Sequence, residues 1–250
     1  MGMMTMKIKD TIELLKNTDI DGCISGSCML PDVDFDLWSS QPDVDVFVYS
    51  KMQMAYAVDL LQMVHGFKEL NDGEVWKLDR MRRRDDSNVK AALDTVKLEK
   101  DGVVVNVTWK KGRKSLADVL ASFDMTVIMR GYDIRHGVTM DLRKENDAVQ
   151  GKFPPTVKEA WPNPLRDQDA DMYTTQMWVR QFDRVIKYWN RGFDTRPMAE
   201  FYVRLIDEVI AKGALFTSDK ATEAWAEFLN TYQPIRQKMA EWLESKKEEC

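Results

Sequence analysis

The chain has 250 residues, with 44% hydrophobic and 31% charged side chains, a net charge of -5 and a pI of about 5.3. Those values suit a globular protein of one large or two small domains, and the acidic balance excludes an overall basic field for nucleic acid while leaving room for a local basic patch. No apolar run approaches the roughly 20 residues of a membrane helix, the first ten residues lack the apolar core of a secretory signal, and three cysteines without a Cys-x-x-Cys pair fit a reducing cytoplasm better than a disulfide or zinc framework.

In chain order, residues 11–16 read as the end of a short helix, with Ile12, Leu14 and Leu15 apolar. Residues 19–25 turn into a short buried segment. Gly26-Ser27 is a small-residue turn, and residues 27–38 open a helix or irregular turn that Pro31 interrupts. Residues 39–42 form a loop. The alternating run Asp43-Val44-Asp45-Val46-Phe47-Val48-Tyr49 predicts a strand with Asp43 and Asp45 on one face and the valines on the other. Residues 52–65 have helical spacing, with Gly66 as the stop. Residues 67–80 read as a strand-rich connection, and 81–88, with Arg82-Arg83-Arg84 before Asp85-Asp86, as an exposed charged loop.

Residues 89–100 predict a strand, Asp101-Gly102 a hairpin turn, and 103–109 a second strand with Val103, Val105, Val107 and Trp109 on one face. Val104, Asn106 and Thr108 then share the other. A short helix follows over 116–122, an apolar strand over 125–129 and an edge strand over 139–143. Pro154-Pro155 and Pro162-Asn163-Pro164 mark a boundary, after which helical stretches are expected over 177–189, 199–211, 221–229 and 235–247. The domain expectation is an α+β unit over 1–150 and a helical unit over 151–250.

Two carboxylates side by side on a strand repel each other. Mg²⁺, a hard cation that takes oxygen ligands, is the usual physical reason for keeping such a pair. A glycine-serine turn before that strand suggests a phosphate loop beside a metal site. The competing reading is a plain turn and a strand whose acids face water. Arg180, Arg184, Lys187 and Arg191 step by four, three and four along one side of a helix. They suit contact with a triphosphate or a nucleic-acid backbone, or a solvated face paired in part with Asp183 or Asp194. His65 and His136 have no recognisable partner spacing, and Cys28 reads as a small buried side chain.

These residues, taken in order, resemble the polymerase-beta-type nucleotidyltransferases. Gly26-Ser27 with Asp43-Val44-Asp45 is similar to that signature. Val103 to Trp109 resembles the later strand that carries a third carboxylate, here at Asn106. The stretch Phe123-Asp124-Met125-Thr126-Val127-Ile128-Met129 resembles the Arg-Asp-Phe-Thr-type stretch of poly(A) polymerases and CCA-adding enzymes. Asn163-Pro164-Leu165-Arg166, then Arg184 to Tyr188 and Arg191-Gly192-Phe193, resemble the following helical segment. The compact length is also similar to small nucleotidyltransferase-like proteins of bacteriophages. The chain departs from the pattern at Asn106, at Ser122 and Phe123 where the group has paired arginines, and at Leu30-Pro31-Asp32 after the glycine turn.

The resemblance implies an α+β, nucleotidyltransferase-like mixed sheet flanked by helices, followed by a helical C-terminal region. It implies transfer of a nucleoside monophosphate from a nucleoside triphosphate such as ATP to an acceptor: RNA, a protein or a small molecule. Asp43 and Asp45 would bind Mg²⁺, with Asn106 completing a weakened two-metal site. Gly26 and Ser27 would hold the β- and γ-phosphates. Asp124 and Arg184 would contact the nucleotide, with Arg180 and Lys187 in support. No membrane partner is expected, and the expected location is the cytoplasm, that of the host if the chain is phage-encoded. The alternative is a catalytically degenerate relative that binds a nucleotide, nucleic acid or a protein, for which Asn106 is the main support.

Overall fold

The computed structural model describes residues 7–30, 42–70, 93–143, 158–163, 175–213 and 219–247. Asp32, the run Arg82-Arg83-Arg84, Pro154-Pro155 and Leu165-Arg166 lie outside the described residues. The protein is mixed α+β, and the chain divides into two compact units. The first is Met1–Ser122 with Ile128–Leu142; the second is Phe123–Val127 with Arg143–Cys250. No described helix is long and apolar enough to cross a membrane.

The first unit is built on a seven-stranded mixed sheet among the described residues. Its strands are β1 Gly22–Ser25, β2 Val44–Val48, β3 Lys68–Glu69, β4 Leu93–Lys100, β5 Val103–Lys110, β6 Arg130–Asp133 and β7 Val138–Asp141. They lie in the order β3-β4-β5-β2-β1-β6-β7. Only β2 and β5 run parallel among these neighbours.

One face of that sheet is apolar. Helix α1, Ile8–Lys16, buries Ile8, Ile12 and Leu15, the spacing of one helical face. They join Ile24, Val44, Val46, Val48, Leu98, Val103, Val105 and Val107 in one core. Helix α2, Lys51–Asp59, starts where the Ser50 side chain accepts a hydrogen bond from the Gln53 N–H, an N-cap that satisfies an otherwise unpaired donor. It adds Ala57, widens into a π-helical turn over Leu60–Val64 and ends at Gly66, whose φ is +72°. The alternation in β2 and β5 therefore turns Val44, Val46, Val48, Val103, Val105 and Val107 toward the helices and leaves Asp45, Asn106 and Thr108, together with Phe47 and Val104, on the other face.

Two expectations are corrected. Residues 125–129 are not a strand: Met125 makes an isolated bridge with Pro162, and Thr126–Ile128 is a 3₁₀ turn. The Thr126 N–H donates to Trp161 O, and its Oγ1 accepts from the Trp161 N–H, so the backbone is spent on residue 161 rather than on a sheet. All of 125–129 is buried, and a short run buried throughout has no period to read. Finally, the two expected helices of 221–229 and 235–247 are one helix, Asp219–Ser245, that carries Pro234 inside it. Burial of Ile235 and Met239 and the paired bonds from Arg236 to Asp207, 2.9 and 3.0 Å, hold the helix on past the proline.

The second unit holds that helix with those of Thr175–Trp189 and Arg196–Gly213. Trp178 meets Tyr202 edge-on with ring centroids 5.8 Å apart, and the Tyr202 hydroxyl donates to Gln181 Oε1 at 2.9 Å. Trp189 and Trp242 make a second edge contact at 5.5 Å.

Candidate functional site

The polar face of the first unit carries a row of side chains set by strand register. Ser25 on β1 is paired with Asp45 on β2, Asp45 with Asn106 on β5, and Asn106 with Lys97 on β4. Cross-strand partners point to the same side, so these four residues lie side by side. Asp43, two residues before Asp45, extends the row toward the start of β2.

Asn106 ties the two acids together. Its Nδ2 donates to Asp43 Oδ2 at 3.0 Å and to Asp45 Oδ1 at 2.8 Å. One amide nitrogen thus uses both of its hydrogens on two carboxylates, which offsets part of their repulsion without adding charge. Its Oδ1 is buried with no hydrogen-bond partner. Leaving a buried carbonyl oxygen unsatisfied costs on the order of 1–3 kcal/mol, so this oxygen suits a cation or a hydrogen-bond donor.

The glycine-serine turn lies against the same acids. Gly26 has φ +91°, and a Cβ there would stand 2.9 Å from Asp45 Oδ2. Both the backbone conformation and the closeness of the carboxylate therefore require glycine. Ser27 is buried and opens a 3₁₀ turn, Ser27–Met29, closed by the Met29 N–H on Gly26 O. Ser25 Oγ donates to Arg130 O at 2.8 Å and anchors the strand that leads into the turn. Cys28 is fully buried. Burial first, then the charges of Asp45 and Asp43, push its thiol well above the ordinary range, so it is inert packing rather than a nucleophile.

Among the described residues, no group of three or more His, Cys, Asp and Glu side chains is placed to hold a metal ion. The donor set here is two carboxylates and an amide oxygen. It fits a hard divalent cation held by Asp43 and Asp45; Asn106, whose Nδ2 faces both acids, would offer Oδ1 as a neutral third ligand only after its amide turns over.

The remaining predicted site residues lie in the second unit. Arg184 Nη2 donates to Asp124 Oδ1 at 2.9 Å. Asp124 is only 3% exposed, and its backbone is fixed by Asn163, whose N–H donates to Asp124 O and whose Nδ2 donates to Phe123 O at 2.7 Å. Arg180 and Lys187 are exposed on the same helix as Arg184. Asp194 is taken by Arg196, at 2.6 Å, rather than by the basic stripe.

Two features escaped the sequence reading. Lys97 joins the row beside Asn106; the two-residue turn at Asp101 and Gly102 sets that register and was the available signal. His136 does have a partner, at i,i+3: its Nδ1 lies 2.8 Å from Asp133 Oδ1. Asp133 also accepts from the Tyr49 hydroxyl at 2.9 Å, through its other oxygen. No protein-family model matches the chain, and a search of curated proteins found no match.

Proposed function

We propose that the protein is a metal-dependent nucleotidyltransferase that moves a nucleoside monophosphate from a nucleoside triphosphate to an acceptor such as RNA, a protein or a small molecule. One observation carries this reading: Asp43, Asp45 and Asn106 converge on neighbouring strands, with the Gly26 turn pressed onto Asp45. A glycine turn after β1, acids on the antiparallel β2 and a third polar group on the parallel β5 also support a nucleotidyltransferase-like fold.

In the proposed reaction an acceptor oxygen bonds to the α-phosphorus. The bond from that phosphorus to the bridging oxygen of the β-phosphate breaks, pyrophosphate leaves with the electron pair, and the acceptor proton passes to water. Asp43 and Asp45 would hold Mg²⁺, which when bound supplies charge stabilisation to the phosphoryl oxygens. Asn106 sets the spacing of the two carboxylates. The Gly26-Ser27 turn would take the β- and γ-phosphates. Such an enzyme would work in the cytoplasm, where nucleoside triphosphates are made.

Incubation with labelled nucleoside triphosphates, Mg²⁺ and candidate acceptors tests this. Label entering an acceptor, and lost in Asp45→Ala, supports transfer. A second reading, a degenerate member that binds nucleotide without transfer, draws on the orientation of Asn106, whose Nδ2 rather than Oδ1 faces the acids. Binding of triphosphate with no transfer, even in Asn106→Asp, would favour it.

A further inference from the structure

We propose that His136 is a phosphoryl-acceptor histidine, a nucleophile at Nε2 that Asp133 sets up and that takes a phosphoryl group from a small donor in solution. The site lies apart from the acids of β2 and does not depend on the nucleotidyltransferase reading.

The turn between β6 and β7 builds it. Residues 134–137 join Asp133, the last residue of β6, to Val138, the first of β7, and the Gly137 N–H closes the turn on Asp133 O at 3.0 Å. His136 is thereby brought back over the Asp133 carboxylate. Asp133 Oδ1 accepts from the His136 main-chain N–H at 2.9 Å and lies 2.8 Å from its Nδ1. Asp133 Oδ2 accepts from the Tyr49 hydroxyl at 2.9 Å. Tyr49 arrives from across β1. Asp133 pairs with Cys23 on β1, Cys23 pairs with Phe47 on β2, and Tyr49 follows two residues later on the same face. The carboxylate is thus held by its own turn and by a separate strand. Its side chain is only 10% exposed, whereas the imidazole it holds is 67% exposed.

A turn capped by its own aspartate would need only the bond from the His136 main-chain N–H. The ring bond goes beyond capping, because it fixes the state of the imidazole. An ionised carboxylate only accepts, so Nδ1 carries the proton, and the neutral ring keeps its lone pair on Nε2. Among the described residues no hydrogen bond uses Nε2. That nitrogen has no protein hydroxyl or thiol to deprotonate, and its reactivity is directed at molecules arriving from solvent.

Phosphoryl transfer to Nε2 needs no proton to move. Nε2 bonds to phosphorus, the bond from phosphorus to the leaving group breaks, and the leaving group departs with the electron pair. The ring then carries a proton on Nδ1 and the phosphoryl group on Nε2, hence one positive charge. That charge develops beside a carboxylate already 2.8 Å away, which Tyr49 and the turn keep from swinging out to water. His65 supplies the contrast. Its main-chain oxygen accepts from Lys100 Nζ at 2.7 Å, but among the described residues its ring is paired with no carboxylate.

Phosphoramidate, which gives its phosphoryl group to an imidazole while ammonia leaves with the electron pair of the P–N bond, is the probe. The wild type, folded and in urea, and folded Asp133→Asn are incubated with it. Peptide mass spectrometry gives the rate at each histidine, and phosphorus NMR gives the ring position. Folding only reduces the exposure of a side chain, so exposure alone predicts a slower reaction at His136 in the folded protein. The dyad predicts the reverse: His136 reacts about tenfold faster folded than in urea, at Nε2, while His65 gains nothing from folding. Asp133→Asn loses that acceleration. A folded rate at His136 no higher than in urea, a phosphoryl group on Nδ1, or an Asp133→Asn rate equal to the wild type overturns the proposal. The ratio of folded to unfolded rates is read on the wild type, so the test holds even if Asp133→Asn does not fold.

Discussion

Asn106 on β5 stands in register beside Asp45 on β2 and donates its side-chain N–H to the Asp45 carboxylate at 2.8 Å. The same nitrogen reaches Asp43 at 3.0 Å. The amide thus holds two carboxylates that would otherwise repel, and its own oxygen is left buried without a partner.

Asn106→Asp replaces the bridging donor with a third negative charge. The variant is expected to lose about 1–3 kcal/mol of stability without divalent ions, from the lost bonds and added repulsion. Mg²⁺ should restore much of that loss, because the ion binds the folded state. Thermal melts with chelator and with Mg²⁺ check this. A larger Mg²⁺-induced rise in Tm for the variant than for the wild type is the expected outcome, and an equal rise would refute it.

Gly26 and Gly66 allow a paired comparison. Both have positive φ, +91° and +72°, but a Cβ at Gly26 meets Asp45 Oδ2 at 2.9 Å while one at Gly66 meets nothing within 4 Å. Gly66→Ala should cost about 1 kcal/mol, the backbone penalty alone. Gly26→Ala falls at φ +91° and ψ −156°, a region that essentially only glycine populates, and also displaces the carboxylate, so its cost should exceed the other by about 1 kcal/mol or more. Urea unfolding of the two variants measures the difference. Equal losses would mean that neither the backbone of Gly26 nor its contact with Asp45 demands glycine.

Much of this arrangement was legible in the chain because strands of period two expose their faces. The alternations in β2 and β5 located Asp43, Asp45 and Asn106 on the polar side, and the Asp101-Gly102 turn carried the register that places Lys97, although only pairing it through the turn reveals that. The four-residue β1 and β6 are too short to show a period, and β1 is buried throughout, so neither announced itself. Residues 125–129 failed for the same reason. Pro234 hid a continuous helix, because local propensity is blind to the ion pair and buried contacts that follow it. What Asn106 does with its amide is a matter of rotamer and partners, which no spacing encodes.

Alkaline pH should weaken the fold through its buried thiols. Burial pushes Cys23 up to about 12 from 9.0, and Cys28 is raised in the same direction. As pH rises, the unfolded chain therefore releases these protons first. The contribution to stability is whole below pH 9 and is lost as pH climbs toward 12, at about 1.4 kcal/mol per pH unit for each thiol. Tyr49, also raised by burial, adds to the loss above pH 10. Urea midpoints at pH 8, 9 and 10 should fall, and fall less steeply in Cys23→Ala. Parallel profiles for the two proteins would remove Cys23 as a source.

The Asp124–Arg184 pair has a structural role that can be separated from nucleotide contact. Asp124 is nearly fully buried, whereas the Arg184 side chain keeps 36% exposure. Deleting the guanidinium leaves a buried carboxylate without its cation, so Arg184→Met should cost about 3 kcal/mol in the absence of any ligand. Asp124→Asn removes the charge that makes the loss severe, and the double variant should then be less damaged than the two single losses added together. A double-mutant cycle in urea is expected to give a coupling of about 1–3 kcal/mol. Arg180→Ala, on the exposed side of the same helix, should stay within about 0.5 kcal/mol and serves as the reference. If Arg184→Met proves as mild as Arg180→Ala, the pair does not hold the segment around Asp124.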